Sequence, residues 1–349
     1  MGYLLGLFGP GFQGVSIRLA ARGRIAAGIA LLAGLMAVAG SDRAMATDKY
    51  AAEFMKIGVG ARALGMGGAF VALANDATAA YWNPAGLVRM EQAELSFMHA
   101  EQFGDLANHD YFGFAQPLTG DTRSAVGVSL IRFGVDGILE TAGHFVDANG
   151  DGEYQPGEQI LTDDFRTGSD AEYGLLLSYA REMSGRLSLG GNLKLLRQGL
   201  LDNTSFGFGV DLGALYDLNG GLTVGARLAD ATTTRISWDT GTKESVAPSL
   251  VLGLNWTRNV PGLSGRVTAG ADFNRPMDGR EEAAQAAGGD FQGGMEYWYN
   301  DAVAARVGAD AGNLTAGAGL RYRGFGVDYA YLENAELDAT HRVSASARF

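Results

Sequence analysis

The chain has no cysteine among its 349 residues and only four histidines. The first absence removes disulfides, thiol nucleophiles and thiolate-bound zinc, and it suits a polypeptide exported into an oxidising compartment. The second leaves little for acid–base or metal chemistry. His99, His109, His144 and His341 are scattered, no H-E-x-x-H pair exists, and no serine sits in a nucleophile elbow. His99 and His109 flank one loop and could reach each other, with Glu101 or Asp105 nearby, which is the least a two-histidine metal site or a barrel-borne lipase would need; ordinary loop side chains are the simpler reading, so no enzyme is expected. Charged residues are few (19%), yet beyond residue 40 there is no apolar run of the roughly 20 residues a membrane helix requires. Positive charge is also short: the net charge is −12, which argues against nucleic acid as a partner.

Glycine is abundant, at 53 residues, and it comes with two-residue alternation. Leu187, Leu189, Leu193 and Leu195 oppose Ser188, Gly190, Asn192 and Lys194. Phe206, Phe208, Val210, Leu212 and Tyr216 oppose Gly207, Gly209, Asp211, Gly213 and Asp217. Leu250 to Trp256 and Leu314 to Tyr322 repeat the pattern. Successive side chains of a strand face opposite sides, so each segment has one apolar face and one polar or glycine face. Segments of about ten residues with this alternation are the mark of a membrane β-barrel, apolar side to lipid. Fourteen can be drawn: 93–99, 108–117, 123–134, 170–181, 186–197, 204–217, 221–229, 246–257, 264–274, 289–299, 302–310, 313–323, 324–332 and 341–349. Every second connection is a short turn, as periplasmic turns are, and the longest of the others is Val135–Ser169. Tyr297, Tyr299, Tyr329, Tyr331 and Trp256 fall near segment ends, where interfacial girdles belong. The last segment ends on Phe349, which fits a closing strand anchored at the interface. The expected fold is therefore all-β: a transmembrane antiparallel barrel of about 14 strands over 93–349, with a long extracellular loop over 135–169.

Two segments before residue 93 do not read as strand. Arg18, Arg22 and Arg24 precede the apolar run Ile25–Ala39, and Ala44-Met45-Ala46 offers a small-x-small cleavage site, so 1–46 reads as a signal peptide for export to the outer membrane. Its removal takes the net charge from −12 to −15. Residues 47–92 are rich in Gly and Ala. Gly58-x-Gly60 imitates a dinucleotide fingerprint, but no strand precedes it and Ala63 stands in the third glycine position. Irregular backbone at membrane depth persists only when protein surrounds it, which makes this segment a plug inside the barrel.

The run K-I-G-V-G-A-R-A-L-G-M-G-G-A-F-V-A (Lys56–Ala72), followed by N-D-A-T-A-A-Y-W-N-P-A-G-L (Asn75–Leu87), resembles the PorV/PorQ family within the FadL-type outer-membrane barrels. The matching positions are Lys56, Gly58, Gly60, Arg62, Gly65, Gly67, Gly68, Asn75, Asp76, Trp82, Asn83, Pro84, Ala85 and Gly86, with Asn83-Pro84-Ala85 shared across the FadL type. The resemblance implies a barrel with an amino-terminal hatch in its lumen. Its PorV branch implies a shuttle that docks proteins exported by type IX secretion. Its FadL branch implies passage of long-chain fatty acids or other hydrophobic molecules through a lateral opening. Either way the implied partners are outer-membrane lipid, cargo, periplasmic chaperones and the barrel-assembly machinery.

One loop carries a separate signal. Asp147, Asn149, Asp151, Glu153, Gln155 and Glu158 stand at positions 1, 3, 5, 7, 9 and 12 of an EF-hand-like loop, with Gly152 at position 6. Structural Ca²⁺ in an extracellular loop is the expectation; the alternative is a solvated acidic turn. On the polar face, Asp211, Arg227, Asp272, Glu296, Arg306, Asp310, Arg321 and Asp328 are expected to form ion pairs that hold plug to wall.

Overall fold

The computed structural model describes residues 51–102, 106–120, 122–140, 145–150, 152, 154–156, 158–161, 165–277, 290–333 and 339–349. Sixteen strands follow the plug: β1 (Glu94–Gln102), β2 (Ala107–Leu118), β3 (Ser124–Glu140), β4 (Arg166–Ser184), β5 (Leu187–Leu200), β6 (Asn203–Asp217), β7 (Leu222–Ala229), β8 (Thr234–Trp238), β9 (Lys243–Val246), β10 (Ser249–Val260), β11 (Gly265–Pro276), β12 (Asp290–Tyr299), β13 (Val303–Asp310), β14 (Asn313–Tyr322), β15 (Phe325–Leu332) and β16 (Thr340–Arg348). Fourteen of them, all but β8 and β9, close an antiparallel barrel in which each wall strand pairs with its neighbours and β16 returns to β1, Glu94 opposite Arg348 through Glu101 opposite His341. Closure leaves none of these fourteen strands as an edge, which is what allows a sheet to sit in hydrocarbon.

The faces sort as the alternation predicts. Leu189, Leu193, Phe206, Phe208, Leu252, Leu254 and Trp256 point outward and are 37–56% exposed, while Ser188, Asn192, Lys194, Ser205 and Asp211 point inward and are buried. The short connections 119–123, 185–186, 218–221, 261–264, 300–302 and 323–324 share one end of the barrel. At the other end the tight turn Ala311-Gly312, with φ of 47° and 95°, joins β13 to β14.

Three expectations are corrected. The 135–169 loop is shorter, because β3 runs on to Glu140 and β4 begins at Arg166; a bulge between Val135 and Ile138, with Gly137 at φ 73°, breaks the two-residue period there. The hairpin β8–β9 is additional: β7 stops at Ala229, Asp230 and Thr233 take left-handed φ of 52° and 57°, and β8 then resumes pairing along β6 with Phe206 opposite Ser237. The inward face is also not uniformly polar. Tyr111, Met98, Ile131, Leu176, Leu196 and Ile236 are inward and fully buried in the apolar cluster that includes the plug, and Trp298 is inward and buried beneath the Arg306 and Arg321 guanidiniums.

Candidate functional site

The plug packs irregular backbone against the wall. It contains the helical turns Glu53–Lys56, Ala61–Leu64, Ala79–Trp82 and Pro84–Arg89, each too short to stand alone. Its seat is a run of wall glycines. Gly190, Gly213, Gly225, Gly253, Gly270, Gly294, Gly308 and Gly317 lie on β5, β6, β7, β10, β11, β12, β13 and β14, one per consecutive wall strand. A Cβ added at each would come within 2.2–3.2 Å of plug atoms: Ala85 at Gly190, Asn83 at Gly213, Val71 at Gly225, Ala72 at Gly253, Ala69 at Gly270, Met66 at Gly294 and Gly308, Gly65 at Gly317. The missing side chains form a groove in which the plug main chain lies on the wall. The plug's own Gly67 adds a second requirement, with φ 67° and Ala309 backbone directly opposite.

Polar anchors complete the seat. Arg62 donates from Nε and Nη2 to the two oxygens of Glu296, 2.9 Å each, and from Nη1 to Asn75 Oδ1 (2.7 Å) and Asp76 Oδ2 (2.9 Å). Glu296 also accepts from Arg306 Nε at 2.7 Å, and Arg306 Nη1 lies 2.7 Å from Asp328. The charged side chains among them, Arg62, Asp76, Glu296, Arg306 and Asp328, are all buried or nearly so, which makes the pairing obligatory, since a lone charge there would cost several kcal/mol. Burial alone would raise the Asp76 carboxyl, but the Arg62 guanidinium and the Thr78 hydrogen bond outweigh it and hold the group below the usual carboxylate range. On β11, Asp272 accepts the backbone N–H groups of Phe70 and Val71, both at 2.8 Å. Behind the plug, Lys194 bridges Asp211 (2.9 Å) and Asp230 (2.7 Å), and Asn192 donates to Ala80 O (2.7 Å). The strand pattern marked Lys194 only as inward and gave no sign of this double ion pair.

The remaining motif residues also face the protein interior. Asn83 donates to Val71 O (2.9 Å) and Ala214 O (3.1 Å) and caps the next turn by accepting from Ala85 N (3.1 Å). Pro84 meets Gly190 and Gly213, Trp82 donates to Val59 O (2.9 Å), and Gly86 leaves room for the Ala74 carbonyl. Gly58 and Gly60 take φ of 86° and 80°, Gly65 accepts from Thr315 through its carbonyl, and Gly68 faces Gln292. Lys56 is the exception: it is exposed and pairs with Glu53 at 2.7 Å. Phe349 is 66% exposed at the barrel end, its N–H bound to Ala93 O.

Register rules out one alternative raised by the sequence, and three expected ion pairs do not form. His99 and His109 do not meet: His99 lies opposite Asp110 on the outer face, 2.7 Å from it, while His109 lies opposite Ala100 and points inward, fully buried. A one-residue difference in position puts them on opposite faces. Arg321, Asp272 and Asp310, expected in ion pairs, form none with the described residues: Arg321 lies 4.0 Å over the Trp298 ring, Asp272 accepts from the plug backbone, and Asp310 accepts from Gln292 Nε2 at 3.0 Å.

In the loop beyond β3, Asp147 accepts from the N–H groups of Gly150 (2.6 Å) and Gly152 (2.9 Å), and Glu158 accepts from Ala148 (3.1 Å) and Gln155 (2.9 Å). Asp151 and Glu153 lie outside the described residues, and among those described no three or more histidine, aspartate or glutamate side chains are grouped so as to hold a metal ion.

A model described as "Uncharacterised protein family (UPF0164)" matches residues 29–154. No curated protein matches the chain. Among solved structures, the chain is similar to the Ralstonia pickettii toluene transporter TbuX, at 15% identity and TM-score 0.55, covering 84% of this chain and 98% of that one. It is also similar to the Pseudomonas putida toluene transporter TodX, at 13% identity and TM-score 0.52 over 83% and 97% of the two chains, and to the CymD monoaromatic hydrocarbon channel, at 15% identity and TM-score 0.51 over 84% and 98%. The chain thus shares the fold of these solved structures, a closed 14-strand antiparallel barrel.

Proposed function

We propose that this chain is an outer-membrane channel that admits hydrophobic small molecules past a seated plug. The observation that supports this most is an apolar patch inside the lumen on the long-loop side. Phe133, Trp238, Val246 and Leu332, only partly buried, pack against the buried apolar cluster that the plug forms with the wall. A lumen serving ions or sugars gains nothing from such a surface, whereas an apolar solute leaving water does. The break between β7 and β8 lies beside this patch and is the place in the wall best suited to a lateral exit. Uptake of radiolabelled toluene by cells expressing the protein tests the reading. Expression should raise the uptake rate, and Trp238→Asp should lower it about tenfold by placing a charge on the apolar path. Uptake no faster than in the empty host would refute it.

A second reading, docking of secreted proteins at the outer membrane, is favoured by the plug motif from Lys56 to Leu87 alone. Most residues of that motif are committed to holding the plug, which leaves little of it to meet a protein cargo. Crosslinking and pull-down from the outer membrane would decide: recovery of an exported protein favours docking, and its absence alongside toluene uptake favours the channel.

A further inference from the structure

A cavity of about 510 Å³ opens at the short-turn end of the barrel, between the plug and the ends of β1, β10, β11, β14 and β16. Five guanidiniums line it, and four are matched by carboxylates. Arg62 pairs with Glu296 and Asp76, Arg89 with Asp217, Arg266 with Asp301 at 2.9 Å, and Arg348 with Glu94 at 2.6 Å. The fifth, Arg321, has no salt bridge and no side-chain hydrogen bond among the described residues. Its neighbour Asp328 is committed to Arg306, at 2.7 Å.

The placement of Arg321 is built rather than incidental. Trp298, wholly buried, lies beneath the guanidinium with 4.0 Å between Cζ and the ring centroid. Such stacking covers one flat face of the group and leaves its N–H edges free to donate. The planar fork of donors matches a carboxylate in two parallel hydrogen bonds. One unmatched cation calls for one negative charge, and the nearby Glu91, Glu94 and Asp301 disfavour a doubly charged anion. Leu73 and Met90 give the same cavity an apolar wall for the rest of the molecule.

We propose that Arg321, stacked on Trp298, forms a binding site for the carboxylate of a singly charged organic acid at the short-turn mouth of the lumen. The site does not depend on the nature of the transported solute. The test uses the full chain in dodecyl maltoside, an uncharged detergent, titrated with benzoate, with its neutral analogue benzyl alcohol and with inorganic phosphate, read by calorimetry and by tryptophan emission. Benzoate should bind saturably and perturb the emission of Trp298, benzyl alcohol should do neither, and R321M should weaken benzoate at least tenfold. R321K, which keeps the charge and loses the fork, should fall between the two. If R321M fails to fold, judged by heat-shifted electrophoretic migration, R321K carries the test, with a severalfold loss expected. Equal binding of benzyl alcohol, unchanged benzoate affinity in the variant that folds, or tighter binding of phosphate would overturn the proposal.

Discussion

Gly294 shows how much depends on one absent methyl group. A Cβ there would sit 2.2 Å from the Met66 carbonyl oxygen, a backbone atom that no rotamer change can move aside. Gly294→Val should therefore loosen the plug, with an overpacking penalty of about 1–3 kcal/mol. Limited proteolysis of residues 51–90 and the thermal midpoint in detergent would register it. Gly185→Ala, where nothing lies within 4 Å, should change neither. Glu296 is the electrostatic counterpart. Glu296→Gln leaves the Arg62 and Arg306 guanidiniums buried with their shared charge partner gone, at a cost of about 3–5 kcal/mol, and the same two measurements should show a larger fall than the glycine variant. Asp76 adds a pH dependence of known sign. Its folded-state carboxyl titrates below the ordinary value of 3.8, so its pairing with Arg62 contributes fully above about pH 4 and is lost as pH falls through the lower folded value. Protection of the plug from an acid-tolerant protease should drop over that interval, and Asp76→Asn should be weaker at neutral pH and flatter in acid. These residues differ in legibility. The wall glycines were readable as members of the polar face, but their role required knowing which plug atom each one meets. Lys194 gave no signal beyond its parity, because its partner Asp230 lies in a break that the period could not anticipate.

At the level of elements, the two-residue period carried almost the whole wall. All fourteen segments correspond to wall strands, and the turn at Ala311-Gly312, short for an outer connection, leaves the count intact because left-handed conformations at both residues let a two-residue loop reverse the chain. The hairpin β8–β9 escaped because Thr234–Trp238 and Lys243–Val246 are only five and four residues long, too short for an alternation to stand out in the sequence. The plug was readable as non-strand from its glycine and alanine content; its path along the wall was not, since eight strands far apart in sequence create the groove. The loop 147–158 keeps its sequence-based expectation of Ca²⁺. Calorimetric titration of the purified protein should show one site with Kd of about 10⁻⁴ to 10⁻³ M, the range of extracellular modules, abolished by Asp147→Ala with Glu158→Ala. No Ca²⁺-dependent heat would leave the loop as a turn closed by backbone N–H groups donating to the Asp147 and Glu158 carboxylates.

At the scale of the whole molecule, many leucines and aromatics face outward, while a seated plug and buried ion pairs fill the centre, and the outward face is expected to meet lipid. Four tryptophans sample both sides. Trp256 is outward and 38% exposed, whereas Trp298 and Trp82 are buried at 0% and 7%, and Trp238 lies within the luminal cluster. The most direct measurement is quenching of single-tryptophan variants reconstituted in bilayers with brominated acyl chains. Trp256 emission should be strongly quenched, and Trp82, Trp238 and Trp298 should be nearly unaffected. Quenching of Trp298 to the extent of Trp256, or no quenching of Trp256, would contradict the arrangement.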